Sequence, residues 1–269
     1  MKKIIAFLLC MVLCVGLVGC GGDKDTAKKP EKKEYLTEDQ INDLYSNPDK
    51  FKGKYVSLKG QVFGSPETED DQVAFQMWGD PEGAEKNTIV YCSKDLAKDV
   101  KADSYVIITG KIDGIYEGTN AFGGSITAPQ INAEKIEVSS YVDVISPTLK
   151  SVEPNDVRNS NGVTVTLQKV EFSPIETRVY LSIDNQSGKE YSFYAYSTKV
   201  VQNGKQFESD SNYDADYPEI SNDILNGVKS EGILIFTGLE QASFQFIAEG
   251  QSDDYSIDGD TFTFDVTVQ

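Results

Sequence analysis

From Tyr55 to Val62 apolar and polar residues alternate, with Val56, Leu58 and Val62 on one face. A period of two is the mark of a strand, because successive side chains leave it on opposite faces. Val73 to Trp78, Thr88 to Cys92, Tyr105 to Ile112 and Ala133 to Val138 predict four more strands, with one helical turn at Leu96 to Val100 between the third and the fourth. Ahead of them, Thr37-Glu38-Asp39-Gln40 reads as a capping box, and Ile41, Leu44 and Tyr45 share one face of a short helix that Asn47-Pro48 stops. A second strand-rich block holds Val163 to Phe172, Arg178 to Asp184, Tyr191 to Gln202, Gly232 to Thr237, Ser243 to Ala248 and Thr261 to Val268. Asn203-Gly204 predicts a tight hairpin turn within it. Residues 141–152 contain Pro147 and few large apolar side chains, and they separate the two blocks.

The N-terminus follows another rule. Lys2 and Lys3 precede an apolar run from Ile4 to Val18, too short to span a membrane comfortably and shaped like a secretory leader. The run ends in Leu17-Val18-Gly19-Cys20, which resembles the lipobox of bacterial lipoproteins. The resemblance implies a cleaved leader over 1–19 and a diacylglycerol on Cys20. It also implies attachment to the extracytoplasmic face of a cell membrane. A plain secretory leader ending near a chance cysteine is the alternative. Residues 20–35 are nearly free of apolar side chains, so a disordered tether is expected there. Lys24, Lys28, Lys29, Lys32 and Lys33 along it either meet anionic headgroups or are simply solvated.

Both blocks carry resemblances of their own. Phe51-Lys52-Gly53-Lys54-Tyr55-Val56, running into Lys59-Gly60-Gln61-Val62, looks like the opening of OB-type domains in bacterial envelope proteins. Val106 to Gly110, with Gly114-Ile115-Tyr116-Glu117-Gly118 and Phe122-Gly123-Gly124, resembles their fourth strand and the loop after it. Val179 to Ser187, and Asn226-Gly227 with Glu231 to Phe236, resemble the telokin-like, Ig-type domains of secreted bacterial immunoprotective antigens. That family generally has no assigned activity. The expected fold is therefore mostly β, with a small OB-like barrel over 36–146 followed by an Ig-like β-sandwich over 150–269.

Composition narrows the chemistry. The 269 residues hold 25 Lys+Arg against 43 Asp+Glu and no histidine, a net charge of −18. Without histidine there is no Ser-His or Cys-His nucleophile pair and no ordinary His-containing zinc site. No Gly-Lys pair is followed by Ser or Thr, so no P-loop occurs. The four cysteines reduce to one in the folded part, Cys92, which reads as a buried strand residue rather than a nucleophile.

Three constellations remain. Phe75, Trp78, Tyr116 and Phe122 fall where an OB barrel carries its aromatic ligand platform, although alternating aromatics are more often core or edge packing. Asp210, Asn212, Asp214 and Asp216 alternate like the first half of a calcium loop, with Ala215 where the sharp turn wants glycine. Asp253-Asp254 with Asp258-Gly259-Asp260 is a second acidic turn; both also read as surface hairpin loops. Paired carboxylates for hydrolysis have no spacing signal, and the Glu67 to Asp71 loop reads as solvated charge. The acidic body opposes nucleic acid, whose backbone is bound by Lys and Arg. The expectation is a binding module without catalysis and with no cofactor unless Ca2+. Its partner is an envelope glycan or protein. A structural or assembly accessory acting through protein partners is the alternative, and a carboxylate-based hydrolase a third.

Overall fold

Thr37 opens the first helix, α1 (Glu38–Ser46), with its backbone N–H donating to Gln40 Oε1 at 3.0 Å, the reciprocal half of a capping box. The computed structural model describes residues 32–81, 83–119, 123–254, 256 and 258–269. The leader, Cys20 and most of the expected tether lie outside the described residues. Leu44, on the inner face of α1, is fully buried against the strands that follow.

Those strands are β1 (Tyr55–Glu69), β2 (Gln72–Asp80), β3 (Glu85–Ser93), β4 (Tyr105–Thr119) and β5 (Ser125–Ser139), with the short helix α2 (Lys94–Ala97) after β3. They hydrogen-bond in the order β1-β2-β3-β5-β4, and β4 pairs back onto β1, so the sheet closes into a ring. The contact between β3 and β5 is parallel; the others are antiparallel. Val56, Leu58 and Val62 point inward with Val73, Phe75 and Met77. Closing so small a ring brings backbones very near at two glycines. A Cβ on Gly60 would lie 2.2 Å from the Trp78 carbonyl oxygen, and one on Gly110 2.4 Å from that of Asn132.

Two segments expected as loops are strand. Glu67 and Glu69 belong to β1 and pair with Ala74 and Gln72. Gly114 to Gly118 belongs to β4, paired with Ile126 to Gln130, so β5 starts well before Ala133. In both places cross-strand pairing satisfies the backbone of a stretch, acidic in the first and glycine-bearing in the second, that alternation alone does not flag. The ladder passes a bulge between Ile112 and Gly114, where Gly114 takes φ +103°.

After α3 (Tyr141–Val144) come β6 (Lys150–Val152), β7 (Asp156–Ser160), β8 (Val163–Phe172), β9 (Glu176–Asn185), β10 (Tyr191–Phe193), β11 (Lys199–Gln202) and β12 (Lys205–Glu208). β13 (Asp223–Ile224), β14 (Val228–Thr237), β15 (Phe244–Ser252) and β16 (Asp260–Val266) complete the chain. One sheet runs β14-β9-β8-β6, with β7 on β8; the other runs β12-β11-β15-β10-β13, with β16 on β15. The two sheets share one apolar core, in which Val165, Leu181 and Phe236 of the first meet Phe193, Phe246 and Phe264 of the second.

The expected single strand from Tyr191 to Gln202 is broken. β10 pairs with Gly250 to Ser252 and β11 with Gln245 to Ile247, and a 3-10 turn over Ala195–Ser197 bridges the gap. Thr198, buried, donates its hydroxyl to the Ala195 carbonyl at 2.7 Å and fixes the turn. Asn203 (φ 52°) and Gly204 (φ 73°) form the expected tight turn between β11 and β12. The chain is thus mostly β, and Glu34–Gln269 forms one compact unit.

Candidate functional site

Alternation along β2 sends Val73, Phe75 and Met77 into the ring and leaves Ala74, Gln76 and Trp78 facing outward. Phe75, expected on a ligand platform, is therefore core, 4% exposed. Trp78 is half-buried and stacks on Phe63 at 4.0 Å between centroids and 12° between planes. Asn87 Nδ2 donates to Gln76 Oε1 at 3.1 Å and extends this outer face onto β3. Tyr116 sits half-buried on the far half of β4, its ring lying along Gly118. Phe122 lies outside the described residues.

Sequence reasoning passed over two aromatics of this outer face, Phe63 and Tyr91. Tyr91 stands opposite Ala74, facing outward because its neighbours Val90 and Cys92 face in. With the arm formed by the ends of β1 and β2 it lines a groove of about 960 Å3, open mouth included, whose wall is Glu67 to Gln72. Burial first, then the nearby Tyr116 hydroxyl and Glu69, push the Tyr91 phenol up. Tyr91 and Tyr116 thus share one face of the ring, below an acidic rim. The parity of β3 was the available signal for Tyr91.

The calcium-like residues lie in the loop between β12 and β13. Asp210 Oδ1 accepts from the Ser211 N–H at 2.8 Å, and Asn212 Oδ1 accepts from the Asp214 N–H at 3.1 Å. Asn212 Nδ2 donates to Glu176 Oε2 at 2.9 Å, so that side chain is turned into the sandwich. The Asp214 carbonyl accepts from Tyr105 OH at 3.1 Å, and Asp216 takes φ 49°. Among the described residues no group of three His, Cys, Asp or Glu is placed to hold a metal ion. In the second acidic turn, Asp260 is buried and accepts from Asn161 Nδ2 at 2.8 Å, pinning the turn between β7 and β8. Asp254 Oδ1 accepts from the Ser256 N–H at 3.1 Å in a local turn.

The most buried charged group was not anticipated. Arg178 on β9 is wholly enclosed, with Nη1 2.7 Å from Glu176 Oε1 and Nε 3.1 Å from Glu171 Oε2. Burial pushes the Glu176 carboxyl up, but hydrogen bonds from Tyr217, Asn212, Arg178 and Ser146 outweigh it and hold the group below its usual range. Glu171 is held low in the same way by Lys169, Tyr180 and Arg178. Both carboxylates are thereby kept ionised, a setting suited to structure rather than to a general acid, which needs a raised pKa.

No family model matches the chain, and no curated protein matches it. Among solved structures, it is similar to a functionally unknown protein from Listeria monocytogenes EGD-e, with a TM-score of 0.40 and 13% identity over 49% of this chain and 94% of that one. It is also similar to a conserved domain protein from Bacillus anthracis, with a TM-score of 0.32 and 10% identity over 80% of this chain and 76% of that one. The chain is a mostly-β protein, similar in structure to bacterial proteins of which the one from Listeria is functionally unknown.

Proposed function

We propose that the chain is a lipid-anchored binding module on the extracytoplasmic face of a bacterial membrane. In this reading Cys20 carries the anchor, and the ring presents its outer face to an envelope component, best a neutral glycan, without catalysis. The observation that carries the reading is the groove beside Tyr91, walled by the β1–β2 arm and sharing its face with Tyr116. Supporting it, the order β1-β2-β3-β5-β4 with α2 after β3 is that of OB-type barrels, which bind oligosaccharides and oligonucleotides on the face of strands two and three. The rim acids Glu67, Glu69, Asp70 and Asp71 repel a phosphate backbone, which favours a glycan over nucleic acid. The Ig-like reading of the C-terminal half rests on its two facing antiparallel sheets and shared core.

The test is thermal unfolding of the full chain with cell-wall glycan fragments and, separately, short oligonucleotides. A ligand at a hundred times its Kd adds ~2.7 kcal/mol, which raises the midpoint by several degrees. Tyr91→Ala and Tyr116→Ala should each remove the glycan shift without lowering the ligand-free midpoint. A shift with oligonucleotides instead would reverse the ligand assignment. No shift with either would overturn the small-ligand reading in favour of a protein partner.

A further inference from the structure

A second cavity lies on the sandwich. The chain from Ser209 to Asn222 crosses the edge of β14 and is joined to it by two backbone hydrogen bonds, with the Ser221 N–H also donating to Ser230 Oγ at 2.9 Å. The Asp210 N–H donates to the Ile235 carbonyl at 2.8 Å, and the Ile233 N–H to the Pro218 carbonyl at 2.9 Å. Between these points the loop stands away from the strand and leaves a cavity of about 670 Å3, open mouth included. Its floor is apolar, made by Ile220, Leu234 and Ile235. Its sides are tyrosines. Tyr217 is held in place by donating its hydroxyl to Glu176 Oε1 at 2.5 Å, whereas Tyr196 and Tyr213 are 77% and 89% exposed.

Charge selects what fits. Asp210 and Glu219 stand in the lining, and none of the lining residues is Lys or Arg. Among the described residues neither acid is ion-paired. Aromatic faces attract cations through their quadrupole, and the attraction strengthens as the cation loses water. Carboxylates beside them add Coulomb attraction, and an apolar floor suits an aliphatic stem. The two carboxylates, with no Lys or Arg beside them, disfavour an anion here. The wall is also set in advance, because Tyr217 and Asn212 are both fixed to Glu176, itself paired with buried Arg178.

We propose that this cavity binds a cationic side chain, Lys or Arg, of an extended peptide. The alkyl stem lies on Ile220, Leu234 and Ile235, and the charged head sits among Tyr196, Tyr213, Asp210 and Glu219. The site is separate from the groove beside Tyr91 and does not depend on that groove's function.

The test is titration of the full chain with N-acetylated tripeptide amides Ala-Lys-Ala and Ala-Arg-Ala, followed by tyrosine fluorescence and calorimetry. Ala-norleucine-Ala is the neutral isostere. The cationic peptides should bind at least about tenfold more tightly than the isostere. Tyr196→Ala and Tyr213→Ala should each weaken them about tenfold. Asp210→Asn with Glu219→Gln should do the same and flatten the salt dependence. These positions are exposed, so an unchanged melting midpoint confirms that each variant folds. Tyr91→Ala should leave this binding untouched, which separates the two sites. Equal binding of the isostere, full affinity in the Asp210→Asn/Glu219→Gln variant, or no binding at millimolar peptide would each overturn the proposal.

Discussion

Nη1 of Arg178 and Oε1 of Glu176 meet at 2.7 Å with both side chains buried. The same nitrogen donates to the carbonyl and hydroxyl oxygens of Ser146, and Nη2 donates to Thr148 Oγ1 at 2.7 Å. Ser146 and Thr148 lie on the segment that leaves the ring after α3, so this pair fastens that segment to the sandwich. Around it, Tyr141 packs edge-on against both Tyr105 of the ring and Tyr217 of the sandwich.

Replacing Arg178 leaves a buried carboxylate without its cation, so Arg178→Met should cost about 3–5 kcal/mol in urea unfolding. Glu176→Gln keeps several partners and leaves Arg178 with Glu171, so it should cost less, about 1–3 kcal/mol. The reverse ranking would show that the pair is not the fastening element.

Acid should weaken the fold in a defined window. Glu171 and Glu176 have folded pKa values below their ordinary 4.5. A depressed carboxyl contributes stability that is complete above the unfolded value and is lost as pH falls through the folded one. Urea midpoints should therefore hold level from neutral pH down to about 5 and decline below about 4.5. Glu176→Gln should soften that decline, and a profile unchanged by it would assign the acid sensitivity elsewhere.

Burial pushes the Cys92 thiol up to about 11. The thiolate is the reacting species, and Cys92 faces the ring interior at 6% exposure. Its tryptic peptide should remain unalkylated by iodoacetamide at pH 8 in the native chain and be fully alkylated in urea. Native-state alkylation at the rate of a free thiol would mean that β3 opens readily.

Gly60→Ala and Gly110→Ala each press a methyl group against backbone that cannot swing aside. Each should cost about 1–3 kcal/mol, as overpacking does. Gly204→Ala has open space around its Cβ but keeps φ at 73°, so its cost should be nearer 1 kcal/mol, from backbone strain alone. Comparable losses at all three positions in urea unfolding would show that closure of the ring is not the limiting contact.

Several elements were legible because their cause is local. Alternation placed β1, β8 and the centre of β4, Thr37 and Gln40 marked the start of α1, and Asn203-Gly204 marked a hairpin turn. Parity was also enough to divide Phe75 from Trp78, since residues three apart on a strand face opposite ways. Grouping them as one platform overlooked that rule. The same parity puts Tyr91 outside.

What the chain carries in its own order is thus its local code: strand periods, caps, turn residues, glycines where a Cβ has no room, and an acidic charge. Tertiary structure alone decided the rest, because it depends on partners distant in sequence. The arms of β1 and β4 are strand only because β2 and β5 return alongside them. Arg178 sits in a strand that reads as alternating, yet it is buried because Ser146, Thr148 and two glutamates converge on its guanidinium. The tyrosine-lined cavity exists because a polar loop bonds its backbone to the edge of β14 at Asp210 and Pro218 and spans the gap between them. Polar groups and charges cost too much to bury unpaired, so distant residues had to meet before these side chains acquired their places.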